Sequence, residues 1–455
     1  MKTQRGSQFI PMVACILLVA SGATPTPADT PTVLWSQTYA GSGLADGRGL
    51  AVDDNAVYVT GRTWASGNPD DLFLNKYDLA GNPVWSQTWG VAGRSDQGFN
   101  VARWGDQVHV AGNTRRYTYD NEPDAITLKY DTNGTLDYSN SPDGWWTLWT
   151  SDGYNGFDYA KDVALDAAGN LYVLGTEEYG YINTWTYLEK YNPAGVKQWH
   201  RHYGVDGSPR YCGSEKLVLS GDNLYAAGTY NAAGVDAKVQ VLKYSTDGTL
   251  ITAYHSVVNQ GGLDVAVSED DIYVSGVIYD GDPTRDVLVL KLHDDGSSIS
   301  FIGSTTFAGP GGEDFGWAID VANGTVYVVG STTDGSDTDA LLLAYDSDLN
   351  LLWSYSWGGT GNDSANDLVV RDGVLYVAGT LGNEAFVDAY AVIGDLNCDG
   401  VVNFADINPF VLALSNPAAY EQTFPECRML NGDINGDQSV NFGDINPFVA
   451  LLTGR

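Results

Sequence analysis

Positive charge is scarce in this sequence. Lysine and arginine together number 23 against 57 aspartates and glutamates, for a formal net charge of −34. A surface this acidic repels phosphate backbones and anionic bilayers, which excludes nucleic acid as a partner and leaves divalent cations as what it attracts. Histidine occurs five times and cysteine four times. There is no Gly-x-Ser-x-Gly elbow, no His-Glu-x-x-His and no phosphate-cradling loop, so the common signatures of nucleophilic, zinc-peptidase and nucleotide chemistry are missing. No segment reaches the ~20 consecutive apolar residues that a membrane span needs.

The one apolar stretch of note lies at the start. Lys2 and Arg5 precede a short apolar core from Ile10 to Ala20, and Ser21-Gly22-Ala23 supplies small residues for cleavage. This reads as a signal peptide over residues 1–23, followed by a Thr- and Pro-rich lead-in over 24–32. The expected location is secreted, either extracellular or at the cell surface. Oxidising conditions then permit a disulfide. Cys398 and Cys427 lie together in the last module and are the expected pair, and Cys212 is expected to be a small buried hydrophobe.

Glycine (54) and aromatic residues (12%) are plentiful, a mixture that suits short strands joined by tight turns. A Tyr-Val-x-Gly-like strand end recurs at Tyr58–Gly61, His109–Gly112, Tyr172–Gly175, Tyr225–Gly228, Tyr273–Gly276, Tyr327–Gly330 and Tyr376–Gly379. Seven copies about 50 residues apart match the period of propeller blades. Around each copy the residues alternate as strands do, as in Leu72-Phe73-Leu74-Asn75-Lys76-Tyr77-Asp78 and Val84-Trp85-Ser86-Gln87-Thr88-Trp89. The first aromatic strand, Val33 to Tyr39, has no partners before it, and the last three-strand set has no aromatic strand after it. Pairing these leftovers closes the ring. The expected fold is therefore an all-β seven-bladed β-propeller of four-stranded antiparallel blades over 33–393, closed by its N-terminal strand. The Tyr-Val-x-Gly ends, Lys-Tyr-Asp turns and Leu352-Trp353-Ser354 strand resemble the bacterial extracellular SBBP repeats.

Two features of the repeats invite a functional reading. Acidic turns at Asp46, Asp96, Asp158, Asp314 and Asp363 would either ring a channel mouth with carboxylates or, the favoured reading, accept backbone N–H groups within each turn. His200 and His202 share a strand face and suit a metal, but no third ligand is identifiable nearby in sequence. The long stretches Thr114–Asp124 and Glu177–Thr186 are read as loops exposing aromatics, among them Tyr179, Tyr181 and Trp185.

From Gly394 the grammar changes. Asp395, Asn397, Asp399, Val401, Asn403 and Asp406 occupy positions 1, 3, 5, 7, 9 and 12 of a calcium loop, with Gly400 at the sharp turn. Asp433, Asn435, Asp437, Ser439, Asn441 and Asp444 repeat the set 38 residues later. Both loops run into Ile-Asn-Pro-Phe-Val, where Asn408 and Asn446 are expected to cap helices beginning at Pro409 and Pro447. Phe410, Val411, Leu414, Phe448, Val449 and Leu452 are expected to form a shared core. Two Ca2+ sites follow, the second weaker because Gln438 replaces the turn glycine. The duplicated loop–helix unit over 394–455 resembles type I dockerin, a small α-helical EF-hand-like module. That resemblance implies a cohesin-like protein or another extracellular scaffold as partner. The leading expectation is a non-catalytic binding or scaffold protein with no catalytic residues, its propeller facing a polysaccharide or another envelope ligand. The rival is a polysaccharide hydrolase or lyase with its site on the propeller.

Overall fold

The computed structural model describes residues 31–453, apart from 66–67, 117–122, 141–144, 150–156, 180–182, 205–208, 233–236, 258 and 280–283. The expected signal segment, and Tyr181 among the loop aromatics, lie outside the described residues. The strands form seven four-stranded antiparallel sheets. Blades 1 to 6 use consecutive strands within Leu44–Trp89, Arg94–Trp149, Asp158–Tyr203, Pro209–His255, Gln260–Phe307 and Phe315–Trp357. Blade 7 takes three strands from Ser364–Ala391 and its fourth, Thr32–Tyr39, from the other end of the chain. The ring thus closes as the leftover strands predict, and no sheet is left short. Among the described residues no helix is long and apolar enough to cross a membrane.

The recurring motifs are explained by contacts between strands and between blades. The glycine that ends each Tyr-Val-x-Gly strand lies against the preceding strand. A Cβ at Gly61 would fall 1.9 Å from the Asp46 carbonyl oxygen, and one at Gly330 1.7 Å from that of Phe315. No side chain fits there. The tyrosine of the motif supports the lysine of the third strand: Lys76 lies over the Tyr58 ring at 5.3 Å and Lys190 over Tyr172 at 4.8 Å. Each of these lysines then donates to a turn in a following blade, Lys76 to the Thr132 carbonyl and Lys190 to that of Thr246. The fourth-strand tryptophan hooks onto the same turns. Trp35 Nε1 donates to Leu79, Trp85 to Thr132 and Trp199 to Thr246, at 3.0, 3.0 and 3.3 Å.

Near the axis, side chains tie neighbouring blades together. Asp162 accepts from the Leu217 N–H, Asp264 from Ile319, Asp320 from Val370 and Asp367 from Leu50, all between 2.7 and 2.9 Å. Apolar clusters fill the spaces between blades.

Blade 6 departs from this pattern in an instructive way. The residue opposite Tyr327 is Ala344, where blade 1 places Lys76 opposite Tyr58. Its tryptophan, Trp353, donates to Gly400, inside the first C-terminal loop, at 2.9 Å. Blade 7 borrows its fourth strand, so no turn joins its third strand to a fourth. The C-terminal loop occupies the place where that turn would lie.

The C-terminal module contains α1 (Ile407–Ser415), α2 (Pro417–Thr423) and α3 (Ile445–Thr453). Phe410 and Phe448 are buried with ring centroids 4.3 Å apart, within a core shared with Val392, Leu375 and Tyr390 of blade 7. Two expectations need correction. Asn408 and Asn446 lie inside their helices, and the caps are Asn403 and Asn441, which accept from the N–H groups of Ala405 and Gly443 ahead of each helix. Val411 and Val449 do not join the core; they point to solvent, 53% and 51% exposed. Cys398 and Cys427 form the expected disulfide, with Cα atoms 5.6 Å apart, and Cys212 is buried and unbridged.

Candidate functional site

Both C-terminal loops wind with one hydrogen-bond scheme. In the first, Asp395 accepts from the N–H groups of Asp399 and Gly400, and Asp406 from those of Leu396, Asn397 and Asn403. In the second, Asp433 accepts from Asp437 and Gln438, and Asp444 from Asn435 and Asn441. Positions 1 and 12 therefore fold each loop around one centre. Asn397 and Asn435 accept from position 5, and Asp399 and Asp437 from position 7, Val401 and Ser439.

The two loops differ in setting. The first is pressed against blade 6, where Thr325 Oγ1 donates to the Asp399 carbonyl at 2.7 Å beside the Trp353 hook. Asp395 is 2% exposed. Burial, with the nearby Asp406 and Asp399 carboxylates, pushes its pKa up to about 8, and burial also raises Asp406. Every ion pair found among the described residues belongs to the propeller, so no lysine or arginine balances these acids. Buried like charges of this kind fit a hard divalent cation.

The second loop faces solvent, and its position 6 is strained. Gln438 has φ 69°, where the first loop has Gly400 at φ 86°. An L-residue in that region costs about 1 kcal/mol or more. Gln438→Gly is therefore expected to stabilise the chain by about 1 kcal/mol in chelator, measured by denaturant unfolding. An unchanged midpoint would show that the turn is unstrained.

A second candidate site is the channel. The inner strand of every blade carries a bulged residue directly after the position opposite the motif glycine, and these are Arg48, Phe99, Lys161, Glu215, Leu263, Trp317 and Asn366. All seven line one open cavity of 410 Å³, together with Asp46 and Lys216. A bulge turns its side chain out of the ladder, and here it aims one from each blade at the axis. Sequence reading missed this ring because the seven residues share no chemistry. The signal was positional, a fixed offset from each blade's inner-strand alternation.

The channel's charges are mostly paired. Arg48 and Arg62 meet Asp46 at 2.9 and 3.2 Å, Lys161 meets Glu215 at 2.8 Å, and Lys216 reaches Asp367 at 2.8 Å. Burial would raise the Asp46 pKa, but Arg48, Thr380 and Arg62 outweigh it and hold the carboxyl below its ordinary value. An aspartate so held is a poor proton donor at neutral pH. Trp317 stacks on Phe315 at 4.7 Å, which fixes an aromatic platform in the channel wall.

Of the acidic turns, Asp96, Asp314 and Asp363 accept N–H groups from Val91, Gly309 and Gly359, as the structural reading holds. Asp158 is buried. Only Asp46 reaches the channel. Glu177 and Trp185 belong to strands, not a loop, and Glu177 supplies the third potential ligand beside His200 and His202 that the sequence did not reveal.

No protein-family model matches the chain, and no curated protein matches its sequence. Among solved structures it is similar to an ulvan lyase (9% identity, TM-score 0.46, covering 80% of this chain and 96% of that one). It is also similar to the propeller domain of the Trilobed protease from Pyrococcus furiosus (10% identity, TM-score 0.44, covering 76% and 95%). A third is a putative 6-phosphogluconolactonase from Bacteroides uniformis (14% identity, TM-score 0.43, covering 67% and 83%).

Proposed function

We propose that this chain is a secreted binding protein whose calcium-loaded C-terminal module docks on an extracellular partner of the cohesin type and carries the propeller with it. One observation carries the reading. Phe404, Ile407 and Val411 are 73%, 38% and 53% exposed, and their counterparts Phe442, Ile445 and Val449 are 81%, 38% and 51% exposed. Each trio lies at the start and along one outer face of a loop–helix unit, and the duplication presents it twice. Solvent-facing phenylalanines in such an acidic chain are what a protein-docking surface requires. Calcium would hold both phenylalanines, at position 10 of each loop, in place. In the propeller, the Trp317 platform amid paired charges suits stacking of a sugar ring, which makes a polysaccharide the proposed ligand there.

The test is a pull-down from extracellular and envelope fractions with the secreted chain. A single partner is expected in calcium, lost in chelator. The double variant Phe404→Asp with Phe442→Asp should weaken its capture roughly thirtyfold while the circular dichroism stays unchanged. Capture indifferent to both treatments would remove the docking role. A reducing-sugar assay on a polysaccharide panel decides between binding and cleavage at the propeller.

A further inference from the structure

We propose that blade 3 carries a transition-metal site, of the kind that takes zinc, formed by Glu177, His200 and His202. The ligand atoms of the three all lie within 4.8 Å of one another. Ligands of a tetrahedral zinc lie about 3.4 Å apart, a difference that small side-chain rotations cover. The strand register explains the convergence. His200 is opposite Glu189 and His202 opposite Tyr187 on the neighbouring strand, while Glu177 is opposite Trp185 from the other side. With a side-chain period of two, these residues all emerge on the blade face that packs toward blade 2. Gly175, opposite Tyr187, has no side chain, and the Tyr187 ring folds over it to donate to the Tyr159 carbonyl.

A second shell orients the first. His200 Nδ1 lies 2.9 Å from a Glu189 carboxylate oxygen, which makes Nδ1 the protonated nitrogen and Nε2 the one with the lone pair. Glu189 is only 1% exposed and is also gripped by Lys197 and Tyr191. A carboxylate–histidine pair of this kind fixes the ring and raises its basicity toward a metal. The rings are further held by stacking, His200 on Tyr187 at 6.1 Å and His202 beside Trp185 at 5.2 Å. Burial grades from Glu177, buried, through His200 to His202, exposed. An ion can therefore enter from the His202 side, and a fourth position stays open to water or an incoming ligand. Two imidazoles select a borderline-soft ion over calcium, so this site and the all-oxygen C-terminal loops take different metals.

The experiment uses the full secreted chain without a histidine tag, stripped by chelator and returned to excess calcium so that hard-oxygen sites are filled. Zinc chloride is then titrated by calorimetry, with metal content counted by mass spectrometry. One equivalent is expected. His202→Asn, at an exposed position, should abolish it with the fold intact. Glu189→Gln, a positioning residue that does not touch the metal, should weaken it roughly ten- to a hundredfold. Cobalt(II) should give the visible absorption of a tetrahedral site in the parent and not in His202→Asn. No zinc uptake in calcium, or uptake that His202→Asn leaves unchanged, would overturn the proposal.

Discussion

Asp395→Ala is expected to lower the thermal stability of the whole chain, propeller included, by about 4–5 kcal/mol in calcium. Two losses combine. The substitution strands the buried Gly400 N–H group, at about 1–3 kcal/mol, while the Asp399 N–H keeps Asn397 as its acceptor. On the proposed calcium binding it also removes the stabilisation that the ion would supply, about 2.7 kcal/mol at a hundredfold excess over its dissociation constant. The effect spreads because the loop is part of the ring: Trp353 and Thr325 of blade 6 both donate into it. Calorimetry with calcium and with chelator makes the comparison. Chelator should cost the parent protein the ion's share of that loss, and should cost the variant much less. Asp433→Ala, in the solvent-facing loop, should have the smaller effect. A propeller transition that ignores both the substitution and the chelator would show that the first loop is a passenger.

Lys216→Met is expected to destabilise the propeller by about 3–5 kcal/mol near neutral pH, the usual result of leaving a buried charge without its partner. Lys216 bonds Asp367 across the axis and also faces Asp162 and Asp264, whose charges hold its own pKa above the ordinary lysine value. Burial raises Asp264 to about 8 and Asp162 to about 6, against the pull of Lys216. A carboxyl raised in the folded state binds protons that the unfolded chain has released. Its contribution is therefore complete below the unfolded pKa of about 3.9 and is lost as pH rises through the folded value. The parent should lose stability between about pH 4 and pH 8, and the variant should lose it more steeply, because nothing then offsets the ionised acids. Urea unfolding at about pH 5 and about pH 9 tests this, with the gap between the proteins widening at the higher pH. A gap of equal size at both would mean that lysine contributes packing alone.

The repeat and its closure were legible in the sequence, because turn residues and alternating apolar residues report strands directly. The two loops of the C-terminal module were legible as paired windings too, since the Asp and Asn acceptors that wind them recur at fixed spacing along the chain. What depends on register was not. The seven bulged residues are unlike one another, and only the ladder slip that each accompanies places them together. Glu177 stands 23 residues from His200 in sequence, yet the intervening strand brings both to one face. Val411 and Val449 read as core from their apolar character, but the buried stripe runs through Phe410 and Ala413, and the valines fall on the opposite face. The Asn408 and Asn446 caps failed because a short 3-10 turn, itself capped by Asn403 and Asn441, takes up the helix start first.

The hook between Trp353 and Gly400 also has a mechanical side. The chain passes into the first loop directly from Glu384–Ala391, a strand hydrogen-bonded on both flanks, to Val374–Leu381 and to Thr32–Tyr39. Tension entering through the C-terminal module meets that strand along its axis, so two ladders must shear together before the blade yields. A pull on an edge strand would peel one ladder bond by bond, at far lower force. A partner bound at the module, as proposed, would thus pull on the sheet that locks the ring and not on a loose tether.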